Sequence, residues 1–239
     1  MSESSAPPSD RTTPARMVDR VSTDRAALNQ LLDASLLGHV GFVTEDGQPY
    51  VLPIAIARDG ADVLLHGSTG SRWLRLIGQG IPVSLAVTEL DALVVSRSAF
   101  ESSMRYRSAV LFGRCEQLTG SAKQDALDVL TDALIPGRVA EVRRPTVKEL
   151  AATLVLRLQV EEFSIKIAQE WPDDPPSDVA ESAWAGVLPR QLSYPQAWPA
   201  PDLREGIELP ASVRRLLGQQ TSLPTDPTSR PPSDQSSAV

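Results

Sequence analysis

One short segment combines the residue types that proteins use to bind a phosphate group. It consists of His66, Gly67, Ser68, Thr69, Gly70, Ser71 and Arg72. Ser71 is a typical helix N-cap, so the backbone N–H groups of the first helical turn would point toward the loop. With the hydroxyls, the glycines that permit close approach and the Arg72 guanidinium, they predict an anion site that suits a phosphate monoester. The alternative is an ordinary strand–loop–helix connection with a capping serine and a solvated arginine.

A second group of polar residues stands at the start of a predicted strand. It consists of Arg105, Tyr106, Arg107 and Ser108. Guanidinium groups beside an aromatic ring can hold a phosphate and stack on a planar ring. Because successive side chains of a strand alternate, Tyr106 and Ser108 share one face, and the two arginines share the other. One chain therefore cannot direct all four into a single pocket, although two subunits could. The alternative is a solvated strand end that discourages edge-to-edge pairing.

The composition argues against several other kinds of site. The chain has one cysteine, Cys115, and two histidines, His39 and His66, so no disulfide framework, cysteine-based metal site or histidine-rich metal site is expected. A formal net charge of -7 argues against non-specific nucleic-acid binding. There is no apolar run of membrane-spanning length and no secretory signal at the N-terminus. We therefore expect a cytoplasmic protein with no metal, nucleic-acid or membrane partner.

The periodicity of apolar residues predicts a mainly β chain with flanking helices. A helix capped by Ser22 or Thr23 should carry Leu28, Leu31, Leu32 and Leu36 on one face. Strands are predicted over 39–44, 48–57, 62–66, 82–88, 93–96, 106–116 and 154–167, the first three forming a meander. Helices are predicted over 71–78 and 122–134, with a further short helix after Thr146, and Gly113 is expected at a bulge or a close backbone approach. The pattern favours a single antiparallel barrel and disfavours a Rossmann fold, since no βαβ alternation is present.

Several sequence stretches together resemble a known family. The order of "HVGFVTEDGQPYVLPIAI", "DVLLHGSTGSRWLRLI", "YRSAVLFGRCEQL" and "FSIKIAQEWPDD" resembles the FMN-binding split barrels of the pyridoxamine 5′-phosphate oxidase-like group. Within that group the chain is similar to the flavin-nucleotide-binding branch, which is related to the nitroimidazole-resistance reductases. The resemblance implies a split-barrel cofactor-binding domain over 18–171. The polar, proline-rich composition of the two ends predicts disordered tails over 1–17 and 219–239. The prolines between them predict an extension over 172–218 that wraps the surface without regular structure until a short helix over 211–217.

The resemblance also implies a homodimer that holds FMN in the groove between its subunits. Pro53 and Ile54 would offer backbone groups to the isoalloxazine edge. The ribityl-phosphate side would be lined by His66, Gly67, Ser68, Ser71 and Arg72. Tyr106, Arg107 and Ser108 would contribute from a neighbouring strand or from the partner chain. Lys166 would lie near the site, and Trp184 would cover the ring, although both have simpler interpretations as a strand-end lysine and an anchor of the C-terminal extension.

The expected activity is the oxidation or reduction of a small organic molecule at the flavin. His66 would be the catalytic residue, donating a proton or fixing a carbonyl group, because it is the one group of the predicted site that titrates near neutral pH. Motifs that bind the substrate of true pyridoxamine phosphate oxidases are not matched. Two alternatives remain open: a flavin-binding protein without turnover, such as a sensor, and a split barrel that holds a deazaflavin or haem instead of FMN.

Overall fold

The computed structural model describes residues 21–218, so the predicted tails over 1–17 and 219–239 lie outside the described residues. Eight strands form one antiparallel sheet: β1 (Val21–Ser22), β2 (Leu37–Val43), β3 (Pro49–Asp59), β4 (Asp62–Ser68), β5 (Pro82–Val95), β6 (Ser103–Gln117), β7 (Thr153–Ala168) and β8 (Gly186–Pro189). Six helices accompany them: α1 (Arg25–Ala34), α2 (Arg72–Ile77), α3 (Gly120–Leu134), α4 (Val147–Ala152), α5 (Pro176–Val179) and α6 (Ala211–Gly218).

The sheet closes into a barrel because β7 pairs with two strands that are distant from each other in the sheet. The order runs β7-β4-β3-β2-β5-β6, and β6 then pairs with β7 over most of its length. The short strand β1 adds to β7, and β8 adds to β5. The predicted antiparallel split barrel with flanking helices is therefore confirmed, and so is the meander of β2, β3 and β4.

Two apolar clusters stabilise the barrel, one in its interior and one on the outside of the sheet. The main core fills the interior, where α1 buries Leu28, Leu31 and Leu32 against inward-facing strand residues. A smaller cluster lies outside the sheet, where Leu64 and Val155 pack against α3. Burial of this outer surface holds α3 in place by the hydrophobic effect, which is worth roughly 1.5–3 kcal/mol for each large side chain. Both faces of β4 are consequently buried around Leu64.

Local signals in the sequence explain most element ends. Ser71 caps α2 and accepts a bond from Leu74 N–H, as predicted, and Thr146 and Glu149 form the predicted capping box of α4. Gly113 lies at the predicted irregularity: the β6–β7 register shifts there, and a Cβ atom would lie 1.8 Å from the Gln159 carbonyl oxygen. The cap of α1 is Asp24 instead of Ser22 or Thr23.

Two predicted elements differ from the structure. The strands predicted over 82–88 and 93–96 are one continuous strand, β5, because a bulge between Leu90 and Ala92 absorbs the polar interruption without ending the pairing to β6. The extension predicted to lack regular structure before its final helix contains α5 and β8, and β8 pairs with β5 from Ala92 to Val95. The predicted final helix is present as α6.

Candidate functional site

The barrel is split between the first half of β3 and the last part of β4. Hydrogen-bonded pairing of these strands runs from Asp59 and Asp62 to Ile56 and Leu65 and ends there in the described part of the chain. Beyond that point β4 pairs with β7 alone, up to Ser68, while the first half of β3 pairs with β2 alone. The diverging strands leave backbone N–H and C=O groups of β3 without strand partners, so they are open to a ligand.

The loop that follows β4 satisfies much of its own hydrogen bonding. Thr69 N–H donates to the Ala152 carbonyl at 2.9 Å, Gly70 N–H donates to Ser68 Oγ at 3.1 Å, and Ser71 N–H donates to the Ser68 carbonyl at 2.9 Å. These amides are therefore not free for the predicted anion. Among the described residues, the N–H groups of Arg72 and Trp73 have no partner, and they are the amides left for a phosphate.

Arg72 stands at the start of α2 with its side chain exposed. It forms no hydrogen bond or ion pair with any described residue, although it lies close enough to Asp46 to help lower the pKa of that carboxyl, after the larger effect of Thr44. Its neighbour Trp73 stacks on Phe42, which also stacks on Tyr50, with centroid distances of 6.5 Å and 5.3 Å. An unpaired guanidinium beside an aromatic stack and an open strand edge is suited to an anionic ligand with a flat ring.

Several predicted site residues share the outer face of the sheet. Pro53 pairs with His39 on β2, and His39 pairs with Ala86 on β5, which pairs with Val110 on β6. Cross-strand partners project to the same side of a sheet, so these four residues form a row. The row defines what we term the outer sheet face, which extends to Tyr106, Ser108 and Lys166. Ser108 pairs with Lys166, whose ammonium nitrogen lies 5.5 Å from the centre of the Tyr106 ring.

The remaining predicted residues lie elsewhere. Arg107 forms a two-pronged ion pair with Asp91, at 3.0 Å and 2.8 Å, and this pair raises the pKa of the guanidinium. Ile54 is buried in the core, so only its backbone can meet a ligand. Trp184 is 63% exposed and lies over Gly186 on β8, where a Cβ atom would come within 2.7 Å of its ring.

His66 shares the outer side of β4 with Leu64, and it lies in a cleft beside α3. The cleft has a volume of about 420 Å³ and is lined by His66, Leu127, Val142, Arg143, Pro145, Glu149 and Thr153. None of the other predicted cofactor residues lines it. The imidazole Nδ1 is buried without a hydrogen-bond partner, and burial lowers the pKa of the ring. The lowered pKa favours the neutral imidazole, which is the form that can ligate a metal ion.

The wall of the His66 cleft is held by ion pairs that sequence reasoning missed. Arg143 donates two hydrogen bonds to Glu149, at 2.8 Å and 2.7 Å, and together with the capping bonds of Thr146 this lowers the pKa of Glu149 to about 2. Arg144 pairs with Asp128 of α3 at 2.6 Å. The capping box signalled the helix, but no pattern in the sequence indicated that this segment folds back over β4.

Other chemistry is less well supported in the described residues. They contain no group of three or more histidine, cysteine, aspartate or glutamate side chains that could hold a metal ion. Cys115 is buried in the core, and burial raises the pKa of its thiol to about 12, so a reactive thiolate is not available. Within residues 21–218, no helix has the length and apolar character needed to cross a membrane.

Comparison with known proteins identifies the family. The model of the pyridoxamine 5′-phosphate oxidase family matches residues 24–167. The FAD and heme binding protein from Mycobacterium smegmatis is 48% identical, with a TM-score of 0.79 over 82% of this chain and 97% of that chain. The flavocytochrome Anf3 from Azotobacter vinelandii is 32% identical, with a TM-score of 0.79 over 87% of this chain and 97% of that chain.

A more distant likeness supports the fold alone. A putative 5-nitroimidazole antibiotic resistance protein from Bacteroides thetaiotaomicron is 19% identical, with a TM-score of 0.53 over 62% of this chain and 86% of that chain. No curated protein matches the sequence.

The family model spans more than half of the chain, and two structural relatives exceed 30% identity over most of it. The chain therefore belongs to the pyridoxamine 5′-phosphate oxidase family.

Proposed function

We propose that the chain binds a flavin at the split between β3 and β4 and acts as an oxidoreductase. The observation that carries this proposal is the combination of an open β3 edge with the unpaired Arg72 guanidinium beside it. Arg72 and the free amides of α2 would hold a phosphate of the cofactor, and the backbone of Pro53 and Ile54 would meet the ring edge. A bound flavin would supply hydride or electron transfer, and the protein supplies position and electrostatics.

FAD is favoured over the FMN that the family resemblance implies. The 48% identical relative is described as binding FAD, and it aligns with 82% of the chain. The two cofactors share the isoalloxazine, ribityl and first phosphate groups, so the same Arg72 site would serve either. The adenosine end of FAD would extend from the phosphate across the exposed surface next to Arg72.

A homodimer is proposed from the character of the outer sheet face. Val51 is 69% exposed and lies on this face with Pro53, while Val110 is 37% exposed in the same row as His39. Exposed apolar side chains on a flat sheet favour burial against another surface. Self-association through this face would bring Tyr106, Ser108 and Lys166 toward the cofactor groove of a second copy.

The experiment that tests the oxidoreductase function follows electrons through the bound flavin. The purified protein is mixed anaerobically with NADH or NADPH, and the visible absorbance of the oxidised flavin is recorded before and after an artificial electron acceptor is added. We expect bleaching followed by catalytic reoxidation. A flavin that is bound but never reduced by either nucleotide would instead favour a non-catalytic flavin-binding protein, such as a sensor. The physiological substrate is proposed to be a small organic molecule.

The His66 cleft supports haem as a second cofactor. The protein from Mycobacterium smegmatis is described as binding haem as well as FAD, and the protein from Azotobacter vinelandii is described as a flavocytochrome. The cleft volume of about 420 Å³ falls in the range of cofactor sites, roughly 300–1,000 Å³. Its apolar lining from Leu127, Val142 and Pro145 suits a porphyrin, and the His66 imidazole would ligate the iron. Arg143 would meet a propionate in place of its present pairing with Glu149.

A pair of histidine variants tests the haem proposal. His66→Ala should abolish the Soret absorbance of the purified or haemin-reconstituted protein, because it removes the proposed iron ligand. His39→Ala is the matched control, since His39 is the other histidine of the chain and lies outside the cleft. Equal Soret bands in the two variants would rule out His66 as the ligand and leave the flavin proposal unaffected.

A further inference from the structure

The C-terminal helix α6 is bonded to the segment that forms one wall of the His66 cleft. The Ser212 N–H and Oγ–H groups both donate to the carboxylate of Glu141, at 2.9 Å and 2.5 Å, and Ser212 is only 1% exposed. Arg215 donates from Nη1 to the carbonyl of Pro136 at 3.1 Å. These contacts join α6 to both ends of a short turn that lies some seventy residues earlier in the chain.

The bonded turn leads directly into the cleft wall. Residues 139–141 form a single 3₁₀ turn, and the next residues, Val142 and Arg143, line the cleft together with Pro145. The Val139 N–H donates to Asp132 of α3 at 2.9 Å, so the turn is also fastened from the α3 side. The bonds from Ser212, helped by Arg138, hold the pKa of Glu141 below its usual range.

The contact with α6 depends on a close approach at Gly137. This glycine has a φ of 85°, and a Cβ atom there would lie 3.2 Å from Nη1 of Arg215. Between β8 and α6, residues 190–210 contain no helix or strand. The helix is thus carried on a long irregular segment and is positioned by specific polar bonds to residues 136–141, an arrangement that can open without unfolding the barrel.

We propose that α6 is a latch on the His66 cleft. Its bonds to Glu141 and Pro136 keep residues 136–145 against the barrel and so limit how fast a small molecule reaches or leaves the imidazole. The latch would slow entry of a small molecule into an empty cleft. It would equally slow the release of a bound molecule, because that molecule must pass the same wall to leave. Release of the latch should therefore expose His66 while the core of the barrel stays intact.

The test compares a chain that ends at Pro210, without α6, with a control chain that ends at Gly218. Both lack residues 219–239, so they differ by α6 alone. Each purified protein is treated with diethyl pyrocarbonate, which modifies accessible imidazoles, and the labelling rates of His66 and His39 are read from peptide masses. We expect His66 to react on the order of tenfold faster without α6, the effect of one net hydrogen bond to a charged group. The His39 rate should stay the same.

Full-length variants keep the proposal testable if the shortened chain does not fold. Glu141→Gln and Ser212→Ala each remove part of the latch and should give intermediate increases in His66 labelling. Amide exchange of β7 is measured in parallel to detect loss of the barrel itself. Equal His66 rates with and without α6, or increases seen only when β7 also loses its protection, would overturn the latch. The Soret absorbance is scored separately, so failure of the haem proposal is distinguishable from failure of the latch.

Discussion

Arg72 is the residue on which the proposed flavin site depends most. The neighbouring amides of Thr69, Gly70 and Ser71 are already bonded within the protein, so they contribute little to a phosphate. The guanidinium is exposed and unpaired with any described residue, and a phosphate would give it a charge-assisted partner. The phosphate side of the site therefore depends mainly on one side chain and two amides.

The substitution Arg72→Ala should weaken flavin binding by about 1.5–3 kcal/mol, the usual value of a hydrogen bond to a charged group. This corresponds to a roughly tenfold to hundredfold higher Kd. The affinity is measured by quenching of flavin fluorescence on cofactor-depleted protein. Arg75→Ala is the matched control, because Arg75 is exposed on the same short helix, one turn further from the loop. If the two variants bind flavin equally well, Arg72 has no role at the phosphate.

Single residues with local roles could be predicted from the sequence, but the surroundings of His66 could not. The two helix caps, Ser71 and Thr146, bond to backbone groups of their own helix, and Gly113 meets the backbone of the adjacent strand. The residue type alone was therefore sufficient to predict these roles. The cleft around His66 is built from residues 127 and 142–153, which lie 60 to 90 positions later. Leu64 and Leu65 are both buried, so alternation along β4 did not reveal which face of the strand the histidine shares.

At the scale of elements, strand length and irregularity decide where the site can form. β5 continues through its bulge, since one extra residue in β5 disturbs the pairing with β6 only locally and the hydrogen bonds resume beyond it. The residues beyond the bulge then pair with β8. The strand β8 contains both Gly186 and Pro189, which weaken any strand prediction. The split between β3 and β4 also could not be derived from strand patterns, since it depends on where two strands diverge in space.

Gly113 allows β6 and β7 to pair through their register shift, and Gly113→Ala should destabilise the barrel. An added methyl group would collide with the Gln159 carbonyl oxygen at 1.8 Å. We expect a loss of about 1–3 kcal/mol in the free energy of unfolding, as for overpacked cores. Urea titration measures the loss. Gly218→Ala is the control, because a Cβ atom at that position has no neighbour within 4 Å among the described residues. Unchanged stability in Gly113→Ala would contradict the close approach.

At the scale of the whole molecule, the proposed dimer accounts for the apolar residues on the outer sheet face. Val110→Glu would place a charge at the centre of this face and should shift the protein toward a monomer without unfolding it. Light scattering after gel filtration measures the mass. Val147→Glu is the control, since Val147 is 85% exposed on α4, away from the sheet. A dimer that persists in Val110→Glu, with normal flavin affinity, would exclude this face as the interface.

The proposed flavin site at the split of the barrel and the proposed haem site beside His66 would give the molecule two redox groups. The barrel, the closing strands and the capped helices were predictable because each follows from local periodicity and turn chemistry. The cleft and the α6 latch were not, because they arise where distant segments meet.

The identity of the small molecule released from the purified protein shows whether this chain binds a flavin. The protein is denatured without covalent treatment, and the released ligand is identified by its absorbance and mass. The account predicts a flavin, specifically FAD, in an amount close to one per chain. A protein that is colourless as purified and binds neither added FAD nor added FMN would contradict it.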